Sequence, residues 1–269
     1  MATPGGHPST LDAPPILLQS LEPSAQFAAP LRVEFDRAAR MKQAARRSCE
    51  NLHQVVKQTL SRGELPLILG GECTLIAGSL SAAVERLEPL ALAFFDAHAD
   101  FNTAQTTPSG YLGGMCLAHV CGLFAEALPW LAPSAFSGKN VSLIGGRALD
   151  PGEVENLARA GVNRIAPEAP DAPDRIRDSV RGKSVWIHVD LDLVDPAFMF
   201  AVSHPTPKGI AFDRLSELLS AVATTATVQG MEVCGYQPAK DPERLLPTRI
   251  AAAVAETLSL VRGRTLPER

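Results

Sequence analysis

The 269-residue sequence lacks several features that would assign it to a specialised class of protein. It has 25 basic and 29 acidic residues, a net charge of −4, and no basic run interleaved with aromatic residues, which argues against a nucleic-acid-binding surface. No segment approaches the roughly 20 consecutive apolar residues of a membrane-spanning helix. The N-terminus does not have the basic start and apolar run of a secretory signal. We therefore expect a cytoplasmic protein that acts on a small molecule, without a nucleic-acid or membrane partner.

Cysteine is also sparse. The sequence has five cysteines, an odd number, and none of them forms a CxxC pair. This pattern excludes the usual disulfide framework and the usual structural zinc site. We expect most of these cysteines to be small buried residues, with Cys73 as the exception argued below.

What the sequence does contain is an alternation of short apolar runs with helical patterns. With 46% hydrophobic residues, a chain of this length can form one domain, here residues 1–269 with a Pro-rich lead over residues 1–30. Near-continuous apolar strands between helices predict an α/β fold with a mostly parallel sheet and helices on both faces. Ligands of such sheets lie beyond the carboxyl ends of the strands. The predicted strands are LPLIL, LALAFF, VSLIG, SVWIHVDL and TVQGMEV, and the predicted helices are Leu31–Arg62, Thr74–Leu87, Gly114–Leu131, Gly152–Ala160, Asp213–Ala226 and Arg244–Val261.

Three potential metal ligands follow the run LALAFF at alternate positions: Asp96, His98 and Asp100. Alternate residues point to one side of an extended chain, so the three side chains would share a face if the chain stays extended. Their oxygen and nitrogen donors suit Mn²⁺. Any one of them could be an exposed polar residue, but three together directly after a buried strand indicate a metal site.

A second run, VWIHVDLDLVDP, ends in the same way, with Asp190 and Asp192 on one face. Close carboxylates raise each other's pKa unless a cation compensates their charge. Together with the first run, four Asp and one His would converge from two strands. Such a set is typical of a metal pair, which activates a water molecule for attack.

The third run, LPLILGGECT, leads from a strand into a helix through Gly70 and Gly71, which permit a sharp turn. Cys73 would then lie at the start of the helix, where the helix dipole favours a thiolate that could bind a metal. A buried, unreactive cysteine is the alternative interpretation.

The segments GGEC, DAHAD and DLDLVDP resemble, in this order, the Gly-Gly-Asp-His, Asp-Ala-His-x-Asp and Asp-x-Asp-x-x-Asp-Pro signatures of the arginase and agmatinase (ureohydrolase) family. The resemblance extends from about Leu65 to Glu232. It implies an arginase-like fold, hydrolysis of a guanidino-type carbon–nitrogen bond, two Mn²⁺ ions per subunit and a homo-oligomer, a trimer or a hexamer. The implied ligands are Cys73, Asp96, His98, Asp100, Asp190 and Asp192, with Asp96 and Asp190 bridging the ions.

The resemblance also implies an amino-acid substrate. Asn102, Thr107 and Ser109 match the arginase loop that holds the α-carboxylate and α-amino groups of the substrate. This match favours a guanidino amino acid over decarboxylated agmatine. The other implied substrate residues are Asp150 and Glu153 at the amino end, and Glu232 at the guanidinium.

Two positions depart from the family pattern. Cys73 replaces a His and sets a soft sulfur beside a metal that prefers oxygen and nitrogen, which predicts weaker binding of one Mn²⁺. Gly113 replaces a His thought to shuttle protons, so the leaving amine needs another proton source, for which Asp100 is the candidate. His204 could compensate, or be a solvated loop residue. His188 could support a metal ligand, or be an ordinary core histidine.

These departures, combined with a retained amino-acid loop, resemble the branch of the family that hydrolyses Nω-hydroxy-L-arginine to hydroxyurea and L-ornithine in D-cycloserine biosynthesis. An N-hydroxyl group withdraws electrons, so the guanidine is less basic and its carbon more electrophilic, and a weaker metal pair could suffice. The alternatives are an ordinary arginase, a hydrolase of another guanidino acid, or a non-catalytic member that binds an amino acid or a partner. Clustered carboxylates argue against the last, because they are costly to keep without a metal.

Overall fold

A computed structural model describes residues 8–33, 41–87, 89–123 and 136–264. Its strands are β1 (Leu67–Leu69), β2 (Leu90–Asp96), β3 (Val141–Gly145), β4 (Asn163–Ile165), β5 (Ser184–Asp190) and β6 (Thr227–Cys234). They form one six-stranded sheet in the order β1-β6-β5-β2-β3-β4, and each neighbouring pair is parallel. The predicted parallel sheet is therefore confirmed.

Helices cover both faces of this sheet. The helices are α1 (Ala13–Leu21), α2 (Met41–Ser61), α3 (Ile76–Val84), α4 (Cys116–Val120), α5 (Pro151–Ala160), α6 (Ala172–Val180), α7 (Phe212–Ala223) and α8 (Pro247–Arg264). Ala93 and Phe95 of β2 pack with α1, α6, α7 and α8, whereas Leu92 and Phe94 pack with α2, α3, α4 and α5. Alternate residues of a strand thus serve two cores, which explains why the central strands are apolar throughout.

Most of the predicted strands and helices are present near their predicted positions. Five of the six strands coincide with predicted runs, and the helices α3, α5, α7 and α8 differ from prediction by three residues or fewer at each end. Helix α2 was predicted to begin at Leu31. The structure has no helix over residues 31–33, and residues 34–40 lie outside the described part of the chain. Of the predicted helix Gly114–Leu131, the structure has α4 over Cys116–Val120; residues 121–123 are not helical, and residues 124–131 lie outside the described part of the chain.

Three elements were not predicted. Helix α1 lies inside the Pro-rich lead, because its prolines occupy the first turn, where no intrahelical N–H is needed. Strand β4 is short and mostly exposed, so it presents no apolar run. Helix α6 buries only a narrow stripe of residues. Among the described residues, no helix is both long enough and apolar enough to cross a membrane.

Candidate metal centre

The sheet order places four chemically reactive side chains next to one another. Cys73 follows β1, Cys234 ends β6, Asp190 ends β5 and Asp96 ends β2, and these four strands are consecutive neighbours in the sheet. Cys234 and Asp190 are direct partners in the register of β5 and β6. The carboxyl edge of the sheet is therefore lined by sulfur on one side and by carboxylate on the other.

One group of possible ligands contains only oxygen and nitrogen donors. Single donor atoms of Asp96, His98 and Asp192 all lie within 4.8 Å of one another. Nδ1 of His98 is 3.0 Å from a carboxylate oxygen of Asp192 and 3.5 Å from one of Asp96. Carboxylate and imidazole donors fit a hard or borderline divalent ion such as Mn²⁺.

A second group contains a sulfur. Donor atoms of Cys73, Asp96 and Asp100 also lie within 4.8 Å of one another. The Cys73 sulfur is 3.0 Å from an Asp190 oxygen and 3.6 Å from an Asp96 oxygen. The structure thus brings together all six residues predicted as metal ligands, and the second group fits Mn²⁺ less well than the first because of its thiol.

The pKa values of the cluster show how much negative charge is packed into it. Burial raises the pKa of Asp96, and the nearby carboxylates raise it further. Burial, the largest cause in each case, raises the pKa of Asp100 to about 7 and that of Asp190 to about 6. His98 behaves in the opposite way: burial disfavours its charge, but hydrogen bonds to Asp192 and Asp96 raise its pKa to about 12. The cluster therefore needs positive charge, which bound cations would supply.

Asp100 is held in an unusual backbone conformation. Its φ of 51° lies in the left-handed region, which non-glycine residues rarely adopt. Its carbonyl oxygen accepts hydrogen bonds from the amides of Leu117 and Ala118 in α4, at 3.0 and 3.2 Å. The strain is thus fixed by the N-terminal turn of α4. Strand β2 itself ends at Asp96, so the extended geometry expected from Asp96 to Asp100 is not present.

The cluster opens into a cavity of about 470 Å³ whose wall includes the five predicted substrate residues Asn102, Thr107, Ser109, Asp150 and Glu153. The amide nitrogen of Asn102 donates to Asp150 over 2.7 Å. Glu153 accepts from the backbone amides of Phe101 and Asp150 at 2.8 and 2.9 Å, one on each carboxylate oxygen. Glu153 therefore ties this loop to α5, besides facing the cavity.

Glu232 does not lie on the cavity wall, which differs from the role expected of it. It is 1% exposed, and its carboxylate contacts Nδ1 of His188 at 2.8 Å and the Ser79 hydroxyl at 2.7 Å. The reason is that His188 is its direct neighbour across β5 and β6 and lies on the same face of the sheet. In this structure the carboxylate is engaged inside the protein and is separated from the cavity.

Three cavity residues were not assigned a firm role from the sequence. Tyr111 donates its hydroxyl to Glu72 over 3.0 Å. The His204 ring lies 6.0 Å from that of His98 and 5.5 Å from that of Tyr111, so the loop histidine reaches the cavity. A Cβ on Gly113 would approach the Tyr111 ring to 2.5 Å, so Tyr111 occupies the space that a larger residue at Gly113 would need. Glu72 was visible beside Cys73, but only the fold shows that it faces the cavity.

Known protein families, sequences and solved structures all contain matches to this chain. The arginase family matches residues 16–260. The chain is 26% identical over 200 residues to the N(omega)-hydroxy-L-arginine amidinohydrolase of Streptomyces lavendulae, covering 74% of this chain and 71% of that one. It is 29% identical over 238 residues to the arginase of Bacillus caldovelox, covering 85% and 79% of the two chains. The solved structure of the latter arginase superposes with a TM-score of 0.76 and 26% identity, covering 97% of this chain and 92% of that one. The match along nearly the whole chain, the shared fold and the clustered ligands together establish that this protein belongs to the arginase family.

Proposed function

We propose that the protein is a Mn²⁺-dependent hydrolase that cleaves Nω-hydroxy-L-arginine into hydroxyurea and L-ornithine, as in D-cycloserine biosynthesis. The observation that carries the hydrolytic function is the convergence of five Asp and His side chains on one cavity. Two Mn²⁺ ions bound there would activate water and neutralise the charge that develops during attack on the guanidino carbon. The expected ligands are Cys73, Asp96, His98, Asp100, Asp190 and Asp192.

The cavity loop supports an amino-acid substrate. The Thr107 hydroxyl oxygen accepts from the amide of Gly110 at 3.0 Å, and the Ser109 hydroxyl oxygen accepts from the amide of Tyr111 at 3.2 Å. Each hydroxyl keeps its own proton to donate, which is what an α-carboxylate needs. The Asp150 carboxylate, also on the wall, could accept hydrogen bonds from the α-amino group.

Glu72 is the carboxylate that we assign to the guanidino end of the substrate. It lies on the cavity wall beside Cys73, whereas Glu232 is turned towards His188. Glu232 then serves as a positioning residue that acts through His188. This assignment replaces the direct contact between Glu232 and the guanidinium that was expected from the family pattern.

Asp100 is the proposed proton donor to the departing ornithine amine. Asp100 lines the cavity, and one of its carboxylate oxygens lies within 4.8 Å of donor atoms of Cys73 and Asp96. Because Asp100 is also an expected metal ligand, Asp100→Asn is assayed at a Mn²⁺ concentration that restores the wild-type metal content, and we expect it to lose most of its turnover there. Full turnover by this variant, with intact metal content, would show that another group supplies the proton.

Arginase activity is the second candidate, because the B. caldovelox arginase matches more of this chain, and at higher identity, than the hydroxyarginine hydrolase does. The two departures from the family pattern, Cys73 and Gly113, favour the hydroxylated substrate. The deciding experiment measures ornithine release from L-arginine and from Nω-hydroxy-L-arginine at matched concentrations. Agmatine, which lacks the α-carboxylate and is assayed through the putrescine it releases, serves as the control for the amino-acid loop.

We expect a strong preference for Nω-hydroxy-L-arginine and little turnover of agmatine. Comparable or faster turnover of L-arginine would identify an arginase. Turnover of neither amino acid, with metal bound, would identify a non-catalytic member of the family. The single domain, the trimeric or hexameric state and the cytoplasmic location stay predictions.

A further inference from the structure

Behind the cavity wall lies a second set of possible ligands, which we call the deep cluster: Cys73, His188 and Cys234. One donor atom from each residue lies within 4.8 Å of the other two. His188 and Cys234 are 1% and 2% exposed, and neither lines the cavity. An oxygen of Asp190 lies 3.0 Å from the Cys73 sulfur and 3.7 Å from the Cys234 sulfur. Four donors from the neighbouring strands β5 and β6 and from the β1–α3 turn thus lie close together.

The distances within the deep cluster match those of a tetrahedral zinc site. Bonds of about 2.3 Å to sulfur and about 2.1 Å to nitrogen or oxygen give ligand separations of about 3.8 Å between two sulfurs and about 3.6 Å between sulfur and nitrogen or oxygen. The two sulfurs are 3.6 Å apart, and the Cys234 sulfur is 3.8 Å from Nε2 of His188. The two sulfurs would have to separate by about 0.2 Å, and the 3.0 Å contact between Cys73 and Asp190 would have to lengthen by about 0.6 Å, to reach these ideal values.

The orientation of His188 suits a ligand. Its ring stacks on Phe94 with centroids 4.2 Å apart and planes 3° apart. Its Nδ1 is engaged by Glu232, which is held in turn by the Ser79 hydroxyl. Stacking and this hydrogen bond together direct Nε2 towards Cys234. A metal-bound histidine commonly donates its other N–H to a carboxylate in this way, which fixes both the tautomer and the ring plane.

We propose that the deep cluster binds a thiophilic divalent ion, of which Zn²⁺ is the common example, through Cys73, His188 and Cys234, with Asp190 as the fourth donor. Two thiolates and an imidazole suit Zn²⁺ much better than Mn²⁺. Binding would release the thiol protons. Because Cys73 also belongs to the second group at the cavity, the deep ion would take the place of one of the two Mn²⁺ ions in the proposed hydrolase, and Asp96, His98 and Asp192, with Asp190 beside them, would hold the other. The protein would then contain one ion of each kind.

The proposal is tested by Co²⁺ substitution and metal competition in the full-length protein, purified under reducing conditions and stripped with a chelator. Co²⁺ bound by thiolates gives near-ultraviolet charge-transfer absorption, and tetrahedral Co²⁺ gives intense visible bands. We expect both signals in the wild type, and one Zn²⁺ with one Mn²⁺ per chain after incubation with both metals. The charge-transfer signal should fall by about half in Cys234→Ser.

Three further variants keep the test independent of folding. Cys234→Asn keeps a polar side chain without sulfur, and its preference for Zn²⁺ over Mn²⁺ should fall at least about tenfold. Cys121→Ser removes a half-buried thiol away from the deep cluster and should leave the spectrum and metal content unchanged. His188→Gln should remove the tetrahedral visible bands.

Several results would overturn the proposal. These are a Co²⁺ spectrum without thiolate bands, two bound Mn²⁺ in the presence of Zn²⁺, the same loss of signal in Cys121→Ser, or a Cys73–Cys234 disulfide in place of two thiols. None of these measurements depends on turnover. A failure of the deep metal site would therefore be distinct from a failure of the proposed hydrolase activity.

Discussion

The substitution Gly235→Ala tests whether the metal centre depends on close backbone approach. Gly235 directly follows β6 and has φ of +93°, and a Cβ there would lie 2.4 Å from a carboxylate oxygen of Asp190. Contacts under 3.0 Å are essentially never seen, so this carboxylate would have to retreat by at least 0.6 Å, the difference between the two distances. Metal sites tolerate errors of only about 0.2 Å in their distances.

The expected cost has two parts. A non-glycine residue in this backbone region costs about 1–2 kcal/mol, and overpacking costs about 1–3 kcal/mol more, so the free energy of unfolding should fall by about 2–5 kcal/mol. Mn²⁺ affinity should fall roughly 10–100-fold, because Asp190 is displaced. Urea unfolding of the metal-free protein gives the first value, and calorimetric titration with Mn²⁺ gives the second.

Gly182→Ala is the matched control. Gly182 has φ of +70°, and a Cβ there would meet nothing within 4 Å, so this variant carries the backbone cost of about 1–2 kcal/mol without the contact. Its affinity for Mn²⁺ should equal that of the wild type. If Gly235→Ala were no less stable than Gly182→Ala and bound Mn²⁺ normally, the proximity of Gly235 to Asp190 would have no role in the site.

Three further predictions concern the cavity and its loop. We expect His204 to relay protons at the cavity mouth, so His204→Ala should lower turnover by up to about 100-fold at unchanged metal content. Unchanged turnover would show that His204 is a solvated loop residue. Gly113→His restores the family residue but should lower turnover below that of the wild type, because its Cβ would lie 2.5 Å from the Tyr111 ring. The double variant Gly113→His/Tyr111→Ala should recover part of this loss. Higher turnover in the single variant would contradict this account. Glu153→Gln should destabilise the protein by about 1.5–3 kcal/mol in urea, because an amide cannot accept both backbone N–H groups. The exposed neighbour Glu155→Gln should change stability by less than about 0.5 kcal/mol, and equal effects of the two would refute the structural role of Glu153.

Much of the fold could be predicted because the central strands are apolar on both faces. Strands such as β2 and β5 are buried almost throughout, so their sequences are nearly continuous apolar runs. Strand β4 escaped prediction because two of its three residues are exposed. Helix α1 was not predicted, because its first turn contains prolines, which usually indicate a loop, and because few of its residues are buried.

The candidate metal ligands Asp96, His98 and Asp100 could be predicted to lie together because they are local in sequence. Asp96, His98 and Asp100 stand within five residues of one another, directly after a strand. The deep cluster could not be predicted, because Cys73 and Cys234 are 161 positions apart in the sequence. Their sulfurs lie 3.6 Å apart only because β1 and β6 are adjacent strands in the sheet. Nor could the sequence show that His188, on the same face as Glu232, would draw that carboxylate away from the cavity.

The order of the strands has a consequence for how this protein can change. The sulfur donors come from the ends of β1 and β6, whereas the amino-acid loop follows β2 and α5 follows β3, on the other side of the sheet. On the proposals above, the thiols that select the ion and the loop that holds the amino-acid end of the substrate would thus be encoded in separate stretches of the chain, whereas Glu72, at the guanidino end, directly precedes Cys73. Either specificity could be exchanged by a few substitutions while the other is inherited intact, so a single scaffold can pair a given substrate with different metals.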